Sequence, residues 1–502
     1  MDSLTSTERD HIDGRAAFAA TAFAAGVGVI AALERIGAPD GLVEGLGPLL
    51  AFAALTVIGL TNRAASLTDF LAARRAIPSF YAGLAFAAAL GGVVLVLVSG
   101  ADDSAQVQWL PIAVGAALAG LVVAPAIRAG NVSSAIDVLA TRFPAYPARA
   151  AFTVALFVCG VLTASAGFSL AAQSLAAAVD SNAHAAIAFA LCALVFTLVP
   201  GGVKSALWTD AASGGGVLLI ALFGAVMGLV FLPSPLAPLA EGARRLAAEA
   251  AATRVNPAQS VALAAAFAFY FPLMSAGVAT PSWRDARRAG LSGFGLAALG
   301  LAACAVALPL LAAPPASAVH TGQALVSAAA WLPSLALARA GALAASRSTG
   351  VDLARAYSRL TVLSSRRIAI GRLTMLAAIA LCPIVLTRLA LSPERALTLS
   401  LAISLTFLAP SLVLALVLPA RARSASALVA LFASLAALAA ELRLDPSGFA
   451  GASILANSLF AGSAGLAAGA LAALAFPTRE GRRYLPPADP FVDLPFDPAN
   501  LG

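Results

Sequence analysis

The 502-residue chain is 61% hydrophobic and 11% charged, with a mean hydropathy of +0.92 and a formal net charge of +7. That exceeds the apolar content of a soluble globular protein of this size and describes a polytopic membrane protein. The basic residues, 30 Arg and the single Lys204, are dispersed through short loops, which excludes a nucleic-acid-binding patch and makes them a record of topology.

Residues 1–15 are polar and net acidic, unlike the basic n-region of a signal peptide, so a retained cytosolic segment is expected. A membrane core of about 30 Å needs roughly 20 apolar residues of helix. Fourteen such spans are predicted: 16–33, 46–61, 80–98, 110–127, 150–178, 185–200, 213–232, 260–279, 291–313, 324–345, 370–391, 396–418, 425–440 and 453–476. The sixth is short and the thirteenth weak. Twenty-three of the 31 Lys and Arg fall in loops on one side and seven on the other, with Arg339 inside a span. This bias predicts an inner (plasma) membrane protein with both termini cytosolic. The tail, 477–502, holds six Pro and should be an irregular solvated strip.

The third span has an amphipathic lead-in. Residues 67–100, LTDFLAARRAIPSFYAGLAFAAALGGVVLVLVSG, pass from alternating charge through Pro78 into an apolar run containing Gly91 and Gly92. The expectation is a broken helix, because only unwound backbone offers unpaired carbonyls and amides at mid-membrane. In the eighth span, FYFPLMSAGVATP carries Pro272 and Gly277, which either free backbone groups or simply kink the helix. The tenth span carries Arg339 in an otherwise apolar helix, at an insertion cost of at least about 2.5 kcal/mol unless it snorkels or finds a partner. Two readings stand side by side: Arg339 reaches the headgroups, or it is buried with a partner, Asp210 being the natural one.

Cys159, Cys192, Cys304 and Cys382 lie in apolar spans without CxxC spacing and read as small buried hydrophobes. His11, His184 and His320 are too scattered for a metal site and read as solvated residues outside the spans. No phosphate-binding loop or Ser/His/Asp grouping stands out, so neither an enzyme nor an ATP-driven pump is indicated, and no cofactor.

Several stretches occur in the order seen in a known family. The lead-in LTDFLAARRAIPSFYAGLAFAA, IRAGNVSSAIDVLATRF at 127–143, PGGVKSALWTD at 200–210, MSAGVATPSWRDARRA and SRSTGVDLARAY together resemble the sodium/solute symporter family, most of all its acetate and monocarboxylate permease branch. The resemblance covers roughly 46–476. It implies an all-α transporter core of five-plus-five inverted repeats, LeuT-like, at 80–232 and 233–418, with peripheral helices in 16–79 and 419–476. It also implies alternating access, with one small organic solute moved together with Na⁺.

By the same resemblance, Na⁺ would be held by the carbonyls of Ala87 and Leu90 and by a hydroxyl pair on the tenth span. That pair falls on Ala336 and Leu337, so both oxygens are missing and Ser334 is the nearest replacement. Ala89 stands where many members have Asp, and Gly92, Val93, Val94 and Leu95 stand where small hydroxyl residues are usual. Arg339, with Asp210, is the competing occupant of the cation site. A solute pocket is expected between Gly91, Gly92 and the stretch holding Phe271, Met274, Ser275 and Gly277, with Ser165 and Ser169 of the fifth span beside it. Two functions follow: a secondary transporter of a small organic solute, such as a monocarboxylate, or a transport-inactive relative serving as a membrane sensor or partner subunit. Solute identity and oligomeric state are not encoded in these patterns.

Overall fold

The computed structural model describes residues 6–100, 108–129, 146–179, 183–231, 257–312, 319–347, 364–418, 423–444 and 453–475, with scattered residues in 138–143 and 237–248. Asp102, Asp103, Asp180, Asp352, the tail 477–502 and most of the loop motif at 127–143 lie outside the described residues.

Every predicted span corresponds to a helix. In chain order these are α1 (Ser6–Arg35), α2 (Asp40–Thr61), the short lead-in α3 (Leu67–Ala72), α4 (Ser79–Gly100), α5 (Trp109–Ala129) and α6 (Tyr146–Val179). They continue with α7 (Ala183–Leu198), α8 (Val203–Phe231), the paired α9 (Pro257–Ala268) and α10 (Phe271–Val278), and α11 (Trp283–Ala312). The last are α12 (Val319–Arg347), α13 (Ser364–Leu389), α14 (Pro393–Val417), α15 (Ser424–Leu444) and α16 (Ser453–Ala475). Among the described residues twelve apolar segments are long enough to cross a membrane, and the chain is a multi-pass membrane protein. Among the described residues no strand occurs, as expected where the solvent cannot satisfy backbone groups.

The spans order themselves by depth in the protein. The apolar window of α12 is 89% buried and that of α1 only 6%, so α12 is the axis of the bundle and α1 lies at its periphery. Small residues bring backbones together around α12. A Cβ on Gly341 would overlap α6 at Gly160 and Ala164, one on Gly167 would overlap Ser334 and Ala338, and one on Gly92 would overlap the Pro333 carbonyl.

Three expectations fail here. The third span is not broken: α4 runs without interruption through Gly91 and Gly92. Those glycines serve close approach to Pro333 of α12, a packing task that leaves the helical ladder intact. The seventh span begins ten residues earlier than predicted, at Val203 rather than 213, because the polar SALWTD stretch is folded into the bundle. Cys192 is exposed on α7, although Cys159 and Cys382 are buried as expected.

The lead-in ends in an unusual turn. Ala73, Arg74 and Arg75 all hold positive φ, 50°, 53° and 55°, a conformation that costs a non-glycine residue about 1 kcal/mol or more. Ser66 caps α3 by accepting from the Asp69 amide, and buried Asp69 receives Arg74 Nε at 2.9 Å.

Contacts between loops fall into two sets, at opposite ends of the bundle. At one end arginines donate to backbone carbonyls at loops and helix ends, the favourable place for a cation. Arg128 Nε reaches Thr280 O (2.8 Å), Arg372 Nη2 reaches Pro200 O (2.9 Å), and Arg347 Nη2 donates to Leu71 O. At the other end Glu34 accepts from the amides of His320 and Thr321, both at 3.0 Å, while His320 Nδ1 lies 2.7 Å from Glu44 Oε1. His320 is therefore a tie between α1, α2 and α12, not the solvated loop residue expected. The far end of α1 is also tied, by Tyr81 Oη donating to Asp13 Oδ1 at 2.7 Å.

Candidate functional site

The break expected in the third span occurs in the eighth. Pro272 has no N–H to give Ala268 O, so the ladder cannot continue and α9 stops at Ala268. Across the gap the pattern tightens: Tyr270 N donates to Phe267 O and Leu273 N to Tyr270 O, each at 3.2 Å, and Tyr270 is extended with φ −79° and ψ 99°.

The side chain freed at that gap is tied into the bundle. Tyr270 is wholly buried, and its hydroxyl pairs with Thr163 Oγ1 of α6 at 2.5 Å. Thr163 meets Ser400 Oγ of α14 at 2.7 Å, Ser400 donates to Cys159 O at 2.9 Å, and Cys159 Sγ lies 3.2 Å from Ser404 Oγ. Ser404 opens a π-turn, Ser404–Leu408, within α14. Such turns recur at functional sites; here one faces the discontinuity of another helix. Three elements thus meet in one buried polar cluster whose hydroxyls bond to one another, as burial demands.

Two small cavities flank α10. One of about 30 Å³ is lined by Leu156, Phe271, Met274, Ser275, Leu343 and Arg347. The other, of about 10 Å³, lies between Ala82, Phe86, Gly120, Leu273, Gly277 and Gly290. Of the expected pocket residues, Phe271, Met274 and Ser275 line the first and Gly277 the second. Gly91, Gly92, Ser165 and Ser169 line neither: Ser165 donates to Val161 O at 2.8 Å, and Ser169 accepts from Gln173 Nε2 at 3.2 Å.

Arg339 is fully buried and does not reach the headgroups. Its Nε lies 2.6 Å from Asp210 Oδ1 and its Nη2 2.8 Å from Ser213 Oγ, both on α8. Its Nη1 has no hydrogen-bond partner among the described residues. Eight helical steps lead from Arg339 to the end of α12 at Arg347, about 12 Å at the helical rise.

The residues present do not fit Na⁺ at the expected place. Ala336 and Leu337 supply no oxygen, Ser334 Oγ is turned back onto Ala330 O at 2.7 Å, and the carbonyls of Ala87 and Leu90 belong to an unbroken helix. Motif reading missed Tyr270, Thr163, Ser400 and Ser404; the signal for Tyr270 was its place two residues before Pro272.

No family model matches the chain, nor does any curated protein. Solved structures do. A Na⁺-coupled sialic acid symporter in a substrate-bound outward-open state superposes with a TM-score of 0.68 at 15% identity, over 87% of this chain and 98% of that one. A manganese transporter of Eremococcus coleocola, in a variant form, gives 0.47 at 12% identity over 82% and 98%. The fold is thereby the LeuT-like one, and nothing singles out the acetate branch.

Proposed function

We propose that this protein is a secondary transporter that moves a small organic solute across the plasma membrane by alternating access, with both termini cytosolic, as a divergent member of the sodium/solute symporter family. One observation carries the reading: within a five-plus-five fold, the helix opening the second repeat is interrupted at Phe269 and Tyr270, beside the two cavities and against α6 and α14. Discontinuous helices are where such folds bind and move their cargo. The cavities have room for water only, which corresponds to a closed state. Their apolar lining, with Ser275 and Arg347 as the polar groups, suits a small solute with one polar end, such as a short monocarboxylate.

The test is uptake of radiolabelled acetate, pyruvate and small uncharged solutes into proteoliposomes. Saturable uptake of at least one, lost on Pro272→Ala, supports the reading. Absence of uptake for the whole panel by a folded wild-type protein would favour the second reading, a transport-inactive sensor or partner subunit, to which the missing cation-site oxygens already point.

A further inference from the structure

We infer that the guanidinium of Arg339 occupies, as a permanently tethered cation, a position that would otherwise bind a mobile alkali-metal ion. The inference goes beyond the transport reading and stands without it.

Asp210 and Ser213 lie one turn apart on α8 and present a carboxylate and a hydroxyl to α12. Oxygen donors of this kind suit a hard cation. Both residues are buried, at 4% and 0% exposure, so the carboxylate demands a counter-charge in place. Here a charge on the facing helix supplies it. The fit is incomplete, since Nη1 has no acceptor among the described residues, whereas buried polar groups are as a rule hydrogen-bonded. The site thus answers to positive charge more than to the shape of arginine. A charge bonded covalently to α12 cannot exchange with solution, so no ion gradient acts through this position.

The experiment is thermal melting of the purified full chain in NaCl, LiCl, KCl and choline chloride at equal ionic strength, for the wild type, Arg339→Lys, Arg339→Ala and the double variant Arg339→Ala, Asp210→Ala. Wild type and Arg339→Lys should melt at the same temperature in every salt. Arg339→Ala should melt lower in choline and recover by about 3 °C or more in Na⁺, Li⁺ or millimolar guanidinium, as expected when a ligand binds only the folded state. The double variant should lose that recovery. A wild-type melting point that climbs with Na⁺ overturns the inference, as does an Arg339→Ala protein indifferent to every cation. If Arg339→Ala cannot be recovered folded, the wild-type and Arg339→Lys measurements decide. No solute is needed, so this result is independent of whether the chain transports.

Discussion

α4 and the α9–α10 pair each carry a residue type that breaks helices, yet only the second is broken. α4 keeps its ladder through Gly91 and Gly92, whereas α9 ends at Ala268 and the extended Tyr270 separates it from α10, which opens with Phe271 and Pro272. The difference is chemical. Glycine retains its N–H, and in hydrocarbon a backbone has no alternative partner, so a glycine pair stays helical and its missing side chains admit a neighbour. Proline removes the donor outright, and the carbonyl four residues back is left for other chemistry. In this chain α4 supplies a rigid surface for α12, and the α9–α10 pair supplies the discontinuity.

That contrast can be broken from either side. The largest effect is expected from Ala89→Pro, which imposes on α4 the defect that α9 has: a loss of about 3 kcal/mol or more, read as failure to extract a monodisperse protein. Gly92→Ala drives a methyl into the Pro333 carbonyl and should cost about 1–3 kcal/mol, seen as a lower melting temperature. Tyr270→Phe removes the link from the break to Thr163 and should cost about 1 kcal/mol in melting experiments. Smallest in stability is Pro272→Ala, within about 1 kcal/mol, because it returns the N–H that Ala268 O lacks; its expected signature is loss of uptake from a protein that melts almost unchanged. A Pro272→Ala variant with full uptake would show that the discontinuity is incidental.

Much of the fold was legible in composition. All fourteen apolar runs are helical, and twelve helices among the described residues are long and apolar enough to cross a membrane, because length and hydropathy decide membrane insertion almost alone. The start of α8 was not legible, since Ser205, Thr209 and Asp210 read as loop until their partners are known: Thr197 O for Ser205, Ser205 O for Thr209, and Arg339 for Asp210. The partnership of Arg339 with Asp210 was one of two readings open from the sequence, and it is decided only by the full burial of Arg339 against α8. The break could not be placed, because Gly91–Gly92 and Pro272 are alternative marks of irregular backbone, and only packing against Pro333 tells a close approach from an interruption. Tyr270 and its hydroxyl cluster escaped because Thr163, Ser400 and Ser404 are common in membrane helices as packing residues, and nothing in their spacing brings α6 and α14 together.

The ties at the two ends of α1 have a mechanical consequence. From Asp13, bonded to α4 through Tyr81, to Glu34, bonded to the start of α12, the helix covers 21 residue steps, about 32 Å. That is close to the thickness of a bilayer's hydrocarbon core, and the apolar window of α1 is only 6% buried in the bundle. A thicker or thinner membrane therefore pulls or tilts α1, and the strain is delivered at its two anchors, one on α4 and one on α12, making lipid chain length a variable to which the bundle is tethered.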